Sequence, residues 1–427
     1  MRIIADLHIH SKYSRATSSQ MDIQNLSIAA KMKGINLLGT GDFTHPDYFK
    51  ELKESLKPFR EGATGLYEYD GTLFMLTSEV SCIYSKNGVK RIHLCISAPS
   101  LETAEQINDL LAKKGNLSAD GRPVFGASAP EITELVMGVS RECLVYPAHA
   151  WTPWFSVFGS ESGFDSMEEC FEDQLNHISA LETGLSSDPK MNWRISALDR
   201  YALLSNSDAH SPQKIGREAN VFELPESEIS YQSIIKAIRA KDRSRFKSTV
   251  EFFPEEGKYH WDGHRACNVS MPPREAIRQK NLCPVCRRPL TLGVLHRVEQ
   301  LADRQEGFRP PDAIPYINLV PLQEIIADAL KQGEFTKAVQ AEYDKLIARF
   351  GSEFDILTSA SRDDLYSITS ERIAEGILRV REGKVHVQPG YDGVYGKVSI
   401  FSEANDEDSR RREAAMASGQ RGLSDFL

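Results

Sequence analysis

Residues 1–19 read MRIIADLHIHSKYSRATSS. The apolar run RIIAD has the length and composition of a buried strand, and it ends in Asp6, His8 and His10. Residues i and i+2 of an extended chain point to the same face, so the two imidazoles stand side by side. Taken alone, such a pair is more often an outward-facing surface feature than a metal site. The rest of the chain therefore has to supply further ligands for His8 and His10 to mean more.

At 427 residues the chain is too long for one small core, and two or three domains are expected. Hydrophobic residues make up 41% and charged residues 26%, an ordinary balance for a soluble globular protein. The N-terminus carries no signal-peptide core and no stretch is apolar enough to span a bilayer, so a cytoplasmic protein with no membrane attachment is expected. A net charge of −9 argues against a basic coat for indiscriminate nucleic-acid binding. It leaves room for a local basic groove beside divalent metals, which are themselves large positive charges. Cys82, Cys95, Cys143 and Cys170 sit among apolar residues as reduced core cysteines, whereas Cys267, Cys283 and Cys286 cluster as metal ligands do.

Working outward from the first strand, INLLGTGD, TLFMLTSE, RIHLCIS, CLVYPAHA, ISALETG and YALLSNSDAH each read as a short buried strand. Between the first two lies MDIQNLSIAAKMKG, a helix with Asp22 as cap, Ile23, Leu26 and Ala30 on one face and Gly34 as terminator. This alternation predicts parallel strands with helices outside, an α/β barrel over residues 1–250. The composition changes near Pro254. Residues 251–300 read as a small zinc-binding module, 301–402 as a mixed helical C-terminal region ending in a glycine-turned strand pair, and 403–427 as a polar tail.

Barrel enzymes place their chemistry at the C-terminal ends of the strands. There this chain places His8, His10, Asp42, His45, Glu79, His93, His149, Asp208 and His210. Any one of them alone is better read as a structural residue; nine on one rim point to a multinuclear metal centre. Mixed imidazole and carboxylate donors suit zinc or manganese, and magnesium is the third candidate. Two such ions about 3.5–4 Å apart clamp a phosphoryl group and generate a hydroxide nucleophile, with a carboxylate such as Glu79 between them. The catalytic set read in this way is His8, His10, Glu79, His93, His149, Asp208 and His210.

The order DLHIH, GTGD, SE, H, H, SDAH resembles the polymerase-and-histidinol-phosphatase (PHP) family of metal-dependent phosphoesterases. The resemblance implies a distorted (β/α)7 barrel holding two or three divalent ions. His8, His10, Glu79 and Asp208 would hold one ion, and Glu79, His93 and His149 a second. His210 with either Asp42 or His45 would hold a third, because the Asp-His pair usual at that loop here reads Asp42-Phe43.

CPVC at 283–286 and HRAC at 264–267 are two x₂-spaced pairs, the pattern of a closed structural zinc site of His264, Cys267, Cys283 and Cys286. His260, one turn away, is the alternative to His264, and His296 reads as a packed or phosphate-facing residue outside the site. Barrel and module together, through GTGDFTHP, SNSDAHS, KYHWDGHRACNVS, CPVCRRPLTLGVLHRVEQLADR and PGYDGVYGK, resemble the endonuclease Q enzymes over residues 1–401. That resemblance implies damaged DNA as substrate, incised 5′ of deaminated bases (uracil, hypoxanthine, xanthine) or abasic sites. Cutting beside a chosen base requires that base to leave the stack, hence an aromatic pocket. Trp151, Trp154, Phe155 and Phe158 are its candidates, or else a packed hydrophobic loop. Lys12 and Arg15 are candidate phosphate contacts, and Arg287, Arg288 and Arg297 form a basic edge for the DNA backbone. In the terminal QRGLSDFL, Gln420, Leu423, Phe426 and Leu427 have the spacing of a sliding-clamp-binding peptide. The alternative function, a PHP phosphatase acting on a small phosphomonoester, explains the barrel and leaves the module, the C-terminal region and the tail without a role.

Overall fold

The computed structural model describes residues 1–60 and 64–401. Arg2–Asp6 pairs in parallel with Leu37–Gly39, which pairs in parallel with Thr72–Ser85. The crossover between the first two is the helix Ile23–Lys33, where the Asp22 side chain accepts from the Asn25 N–H and Gly34 closes the last turn at φ 84°.

After that the pairing departs from the parallel pattern expected. Thr72–Ser85 returns through Lys86-Asn87-Gly88 as Val89–Ala98, antiparallel from Ser85–Val89 to Leu76–Ala98. The cause is local: Asn87 at φ 51° and Gly88 at φ 109° close a hairpin, and a parallel pair would need a crossover far longer than three residues. Leu144–Pro147 lies antiparallel to Val89–Ala98, and Ala180–Glu182 and Ala202–Leu204 form a parallel pair. Backbone hydrogen bonds stitch that pair into the ring, Ala150 N–H to Glu182 O at 2.9 Å on one side and Asp208 N–H to His8 O at 2.9 Å on the other. The result is a distorted α/β barrel of seven strands. Ala219–Glu223 and Phe246–Glu251 extend its sheet antiparallel beyond the first strand.

The two-residue period of the strands decides what faces inward. Ile3, Ala5, Leu7, Leu37, Leu73, Met75, Cys95, Leu144, Tyr146, Ala180, Ala202 and Leu204 fill the barrel in one core. Their neighbours Ile4, Leu38, Phe74, Leu94, Val145 and Leu181 pack in a second core with the helices. Continuing the inward columns by steps of two reaches Glu79, His93, Glu182 and Asn206. The apolar filling thus forms the floor beneath those polar side chains.

The core around the cysteine cluster is only Met271, Ala276, Cys283 and Leu290, too small to hold a fold by burial alone. The helix Val294–Leu301 fixes the module to the barrel: Arg297 donates to the carbonyls of Phe158 and Phe164 and pairs with Asp165, and Arg194 meets Glu299 at 2.7 Å. Tyr316–Asn318 then pairs in parallel with Phe246–Glu251, so the chain rejoins the barrel sheet before entering the helical unit at Leu322. His386–Gln388 and Lys397–Ser399 form the expected antiparallel pair. Its connecting loop clasps the zinc module, with Asp392 accepting from the Arg265 N–H and the Thr291 hydroxyl, both at 2.6 Å. Among the described residues no helix is long and apolar enough to cross a membrane.

Candidate metal centre

The strand-end residues converge in two groups that share Glu79. Ligand atoms of His8, His10, Glu79 and Asp208 lie within 4.8 Å of one another, and so do those of Glu79, His93 and His149. Glu79 turns Oε2 to His10 Nε2 at 3.2 Å and Oε1 to His93 Nδ1 at 2.7 Å and His149 Nε2 at 3.1 Å. His8 Nε2, His10 Nε2 and Asp208 Oδ1 are buried without a well-formed hydrogen bond. Buried polar atoms are seldom left so, and three aimed at one point fit a cation. The donor set, two imidazoles and two carboxylates beside two further imidazoles, fits divalent metals. Burial depresses His93 to about 4, which keeps its ring neutral and able to ligate.

A second layer holds these ligands in place. His8 Nδ1 donates to both Glu182 oxygens, at 3.0 and 3.1 Å. Glu182 also accepts from the His149 N–H at 2.8 Å and the Asn206 amide at 2.9 Å. A ring N–H fixed in this way leaves Nε2 as the free lone pair toward the centre. Glu182 went unnoticed in the sequence although ISALETG puts it at a strand end. Its replacement by glutamine should weaken divalent-metal binding by about 10- to 100-fold, read by competitive chelator titration.

Asp42 plays the same part for His10. It accepts from His10 Nδ1 at 3.0 Å, the Ser11 N–H at 2.6 Å, and the Ser11 and Ser14 hydroxyls at 2.7 and 2.9 Å. Burial raises its pKa, but His10 and these donors outweigh burial and hold it below the usual range. Three of these donors meet Oδ2 and one meets Oδ1, so Asp42 serves here as a hydrogen-bond acceptor that orients His10. His45 lies under the Tyr13 ring with centroids 4.3 Å apart, and His210 donates Nδ1 to the Asp208 carbonyl at 2.8 Å. No cluster of three donors among the described residues includes Asp42, His45 or His210; the His210 ring lies 4.6 Å from that of His10.

Arg122 stands at the centre, although nothing in its stretch of sequence beyond a Gly-Arg-Pro turn marks it. Its Nη1 donates to Glu79 Oε2 at 2.9 Å. Gly121 makes this approach possible, because a Cβ there would fall 2.3 Å from Asp42 Oδ2. Burial raises the Glu79 pKa, but His93, Arg122 and His8 hold it well below the carboxylate range. By contrast, the two cations expected to contact phosphate are engaged elsewhere. Lys12 pairs with Glu51 at 3.0 Å, and Arg15 pairs with Asp120 at 3.3 Å with its side chain 85% exposed.

A cavity of about 530 Å³ opens from this centre. His93, His149, Asp208 and Arg122 line it together with the loop at Trp154-Phe155, the segment Lys258–His260 and Tyr395. Phe155 sits 4.7 Å from the His93 ring, and Trp154 meets Tyr259 edge-on at 5.8 Å. Trp151 and Phe158 do not line it. Trp151 is 1% exposed, donates Nε1–H to Asn192 Oδ1 at 2.8 Å and packs on Phe158, so both belong to the core. The left-handed turn that aims His149, at φ 29°, needs Gly184 opposite, where a Cβ would lie 2.6 Å from that of His149.

In the module, ligand atoms of His264, Cys267, Cys283 and Cys286 lie within 4.8 Å of one another, with His264 Nδ1 3.4 Å from Cys286 Sγ. Burial resists ionisation of Cys283, yet the N–H groups of Cys286 and Val285 bring it to about 6, as suits a thiolate ligand. His260 is not among these donors: it is buried in the cavity wall. His296 donates to Asp262 at 2.6 Å and is packed. Arg287 and Arg288 are exposed on the module, whereas Arg297 is bound into the barrel joint and is not free for a DNA backbone. Gln420, Leu423, Phe426 and Leu427 lie outside the described residues.

Residues 196–242 match the PHP-associated family model, and residues 321–384 match the model of the MJ0043 C-terminal domain. The Bacillus subtilis protein YqxK is 30% identical over 410 residues, covering 93% of this chain and 99% of that one. The protein MJ0043 of Methanocaldococcus jannaschii is 36% identical over 260 residues, which span 59% of this chain and only 31% of that protein. Two solved structures superpose over nearly the whole length. One is the lesion-specific endonuclease PfuEndoQ from Pyrococcus furiosus, at TM-score 0.83 and 33% identity, covering 96% of this chain and 99% of that one. The other is endonuclease Q in complex with a 27-mer duplex carrying an abasic lesion at the active site, at TM-score 0.82 and 32% identity, with both chains covered in full.

Proposed function

The chain belongs to the endonuclease Q family, and on that premise we propose that it is a DNA-repair endonuclease hydrolysing the phosphodiester 5′ of deaminated bases or abasic sites. The observation that carries this is the continuity of the metal donors with an aromatic-walled cavity: His93, His149 and Asp208 line the same space as Trp154, Phe155 and Tyr259. His8, His10, Glu79 and Asp208 would hold one divalent ion, and Glu79, His93 and His149 a second. Ions so placed supply Lewis acidity toward the phosphoryl oxygens and an acidified water. Glu182 and Asp42 keep the two first-strand imidazoles in the ligating tautomer. Trp154 and Phe155 offer apolar surface to a nucleotide turned out of the duplex. The module supplies the far wall, with Arg287 and Arg288 exposed for the DNA backbone.

The test is incision of labelled duplexes carrying uracil, hypoxanthine or an abasic site, beside undamaged duplex and p-nitrophenyl phosphate. Lesion-dependent nicking supports the proposal; hydrolysis of the small phosphomonoester alone sinks it.

Arg122 is the cation placed to meet the scissile phosphate once Glu79 engages metal. Arg122→Ala should lower kcat/KM for an abasic duplex by about 100-fold, with Arg122→Lys recovering part of the loss. For the tail we propose docking on a sliding clamp. Deleting 420–427 should abolish clamp pull-down and leave incision of naked DNA unchanged.

A further inference from the structure

His260 is the one imidazole of the cavity that belongs to neither donor group. It is 4% exposed, and its Nδ1 makes no well-formed hydrogen bond. No side chain among the described residues bonds to either ring nitrogen, and the backbone group that the ring faces is the Pro254 carbonyl. Burial holds the ring at about 4, so it is neutral at physiological pH. A neutral imidazole carries one N–H and one bare nitrogen. An N–H turned toward the Pro254 carbonyl leaves the other nitrogen as an acceptor in the cavity wall.

An acceptor at that place has a specific use. Deamination converts the bare ring nitrogen of cytosine (N3) and of adenine (N1) into an N–H, in uracil and hypoxanthine. It thus turns an acceptor into a donor on the same edge of the base. An unprotonated imidazole nitrogen accepts from the deaminated base and faces the lone pair of the parent base. Each parent base would then leave two buried acceptors opposed, the kind of mismatch that discriminates strongly. Thymine and guanine carry the same N–H, and normal pairing keeps them in the stack, since mispaired bases turn out at lower cost.

We infer that His260 is the specificity-determining residue that accepts the ring N–H of a deaminated base. The inference rests on the lesion incision proposed above, and its test separates the two. Wild type should cut a uracil duplex roughly 10- to 100-fold faster than one carrying N3-methyluracil, in which methyl replaces the N–H. His260→Leu should lose uracil incision by a similar factor and keep abasic-site incision within about threefold, because an abasic site has no base to read. His260→Gln, which retains an acceptor oxygen, should keep most of the uracil activity. Equal wild-type rates on uracil and N3-methyluracil would overturn the assignment. So would a parallel loss of uracil and abasic incision in both variants. A wild type that cuts neither lesion fails at the lesion reading itself, whatever His260 does.

Discussion

Alanine at position 208 should reduce incision at an abasic site by about a thousandfold or more while leaving the protein folded. Asp208 Oδ1 stands 3.1 Å from His10 Nε2 and 3.8 Å from His8 Nε2, and is one of the three buried atoms left without a well-formed hydrogen bond. Its side chain is 27% exposed, so truncation leaves little cavity. The variant should therefore melt within a few degrees of wild type in chelator and fail to gain stability when a divalent metal is added. Retention of more than about a tenth of the wild-type rate would remove Asp208 from the metal centre.

The second large effect comes from Cys283. Structural zinc contributes about 10–16 kcal/mol in small zinc-bound units, and the core of this module has only four buried residues. Cys283→Ala should lose the module zinc and unfold residues around 262–290. The loss reaches the cavity, because Lys258–His260 and Val294 are part of its wall, and the Asp392 loop that precedes Tyr395 is anchored on Arg265 and Thr291. Lesion incision should fall by more than about 100-fold, while hydrolysis of bis(p-nitrophenyl) phosphate by the barrel persists. Zinc content, far-UV circular dichroism and the two activities report the outcome together. Intact lesion incision without the module zinc would detach the module from substrate selection.

The donors of the metal centre were legible because each lies beside an apolar run; a strand's period of two carries the inward column on to Glu79, His93 and Asp208, whereas His8, His10 and His149 are on the opposite parity. That logic finds Glu79 and His93 and, applied once more to ISALETG, would have found Glu182. It does not say what an inward carboxylate touches. Asp42 looks as much like a ligand as Asp208, and only the positions of Ser11, Ser14 and the His10 ring make it a hydrogen-bond acceptor instead. Arg122 was invisible for the opposite reason: it sits in a loop without periodicity, and its partner Glu79 is 43 residues away. Trp151 and Trp154 lie three residues apart in one loop, yet one is 1% exposed and the other 41%. No local pattern separates two tryptophans across a turn. The antiparallel hairpin was written in SKNG at 85–88, a turn signal that the expectation of parallel strands overlooked.

The central claim is that one continuous space binds metal, phosphate and lesion. Its most direct measurement is the position of the nick on an end-labelled duplex with a single abasic site, with metal-stripped protein to which divalent metal is returned. One cut 5′ of the lesion is expected, appearing only with metal and absent with Asp208→Ala. A cut that ignores the lesion, or one that persists without metal, would contradict it.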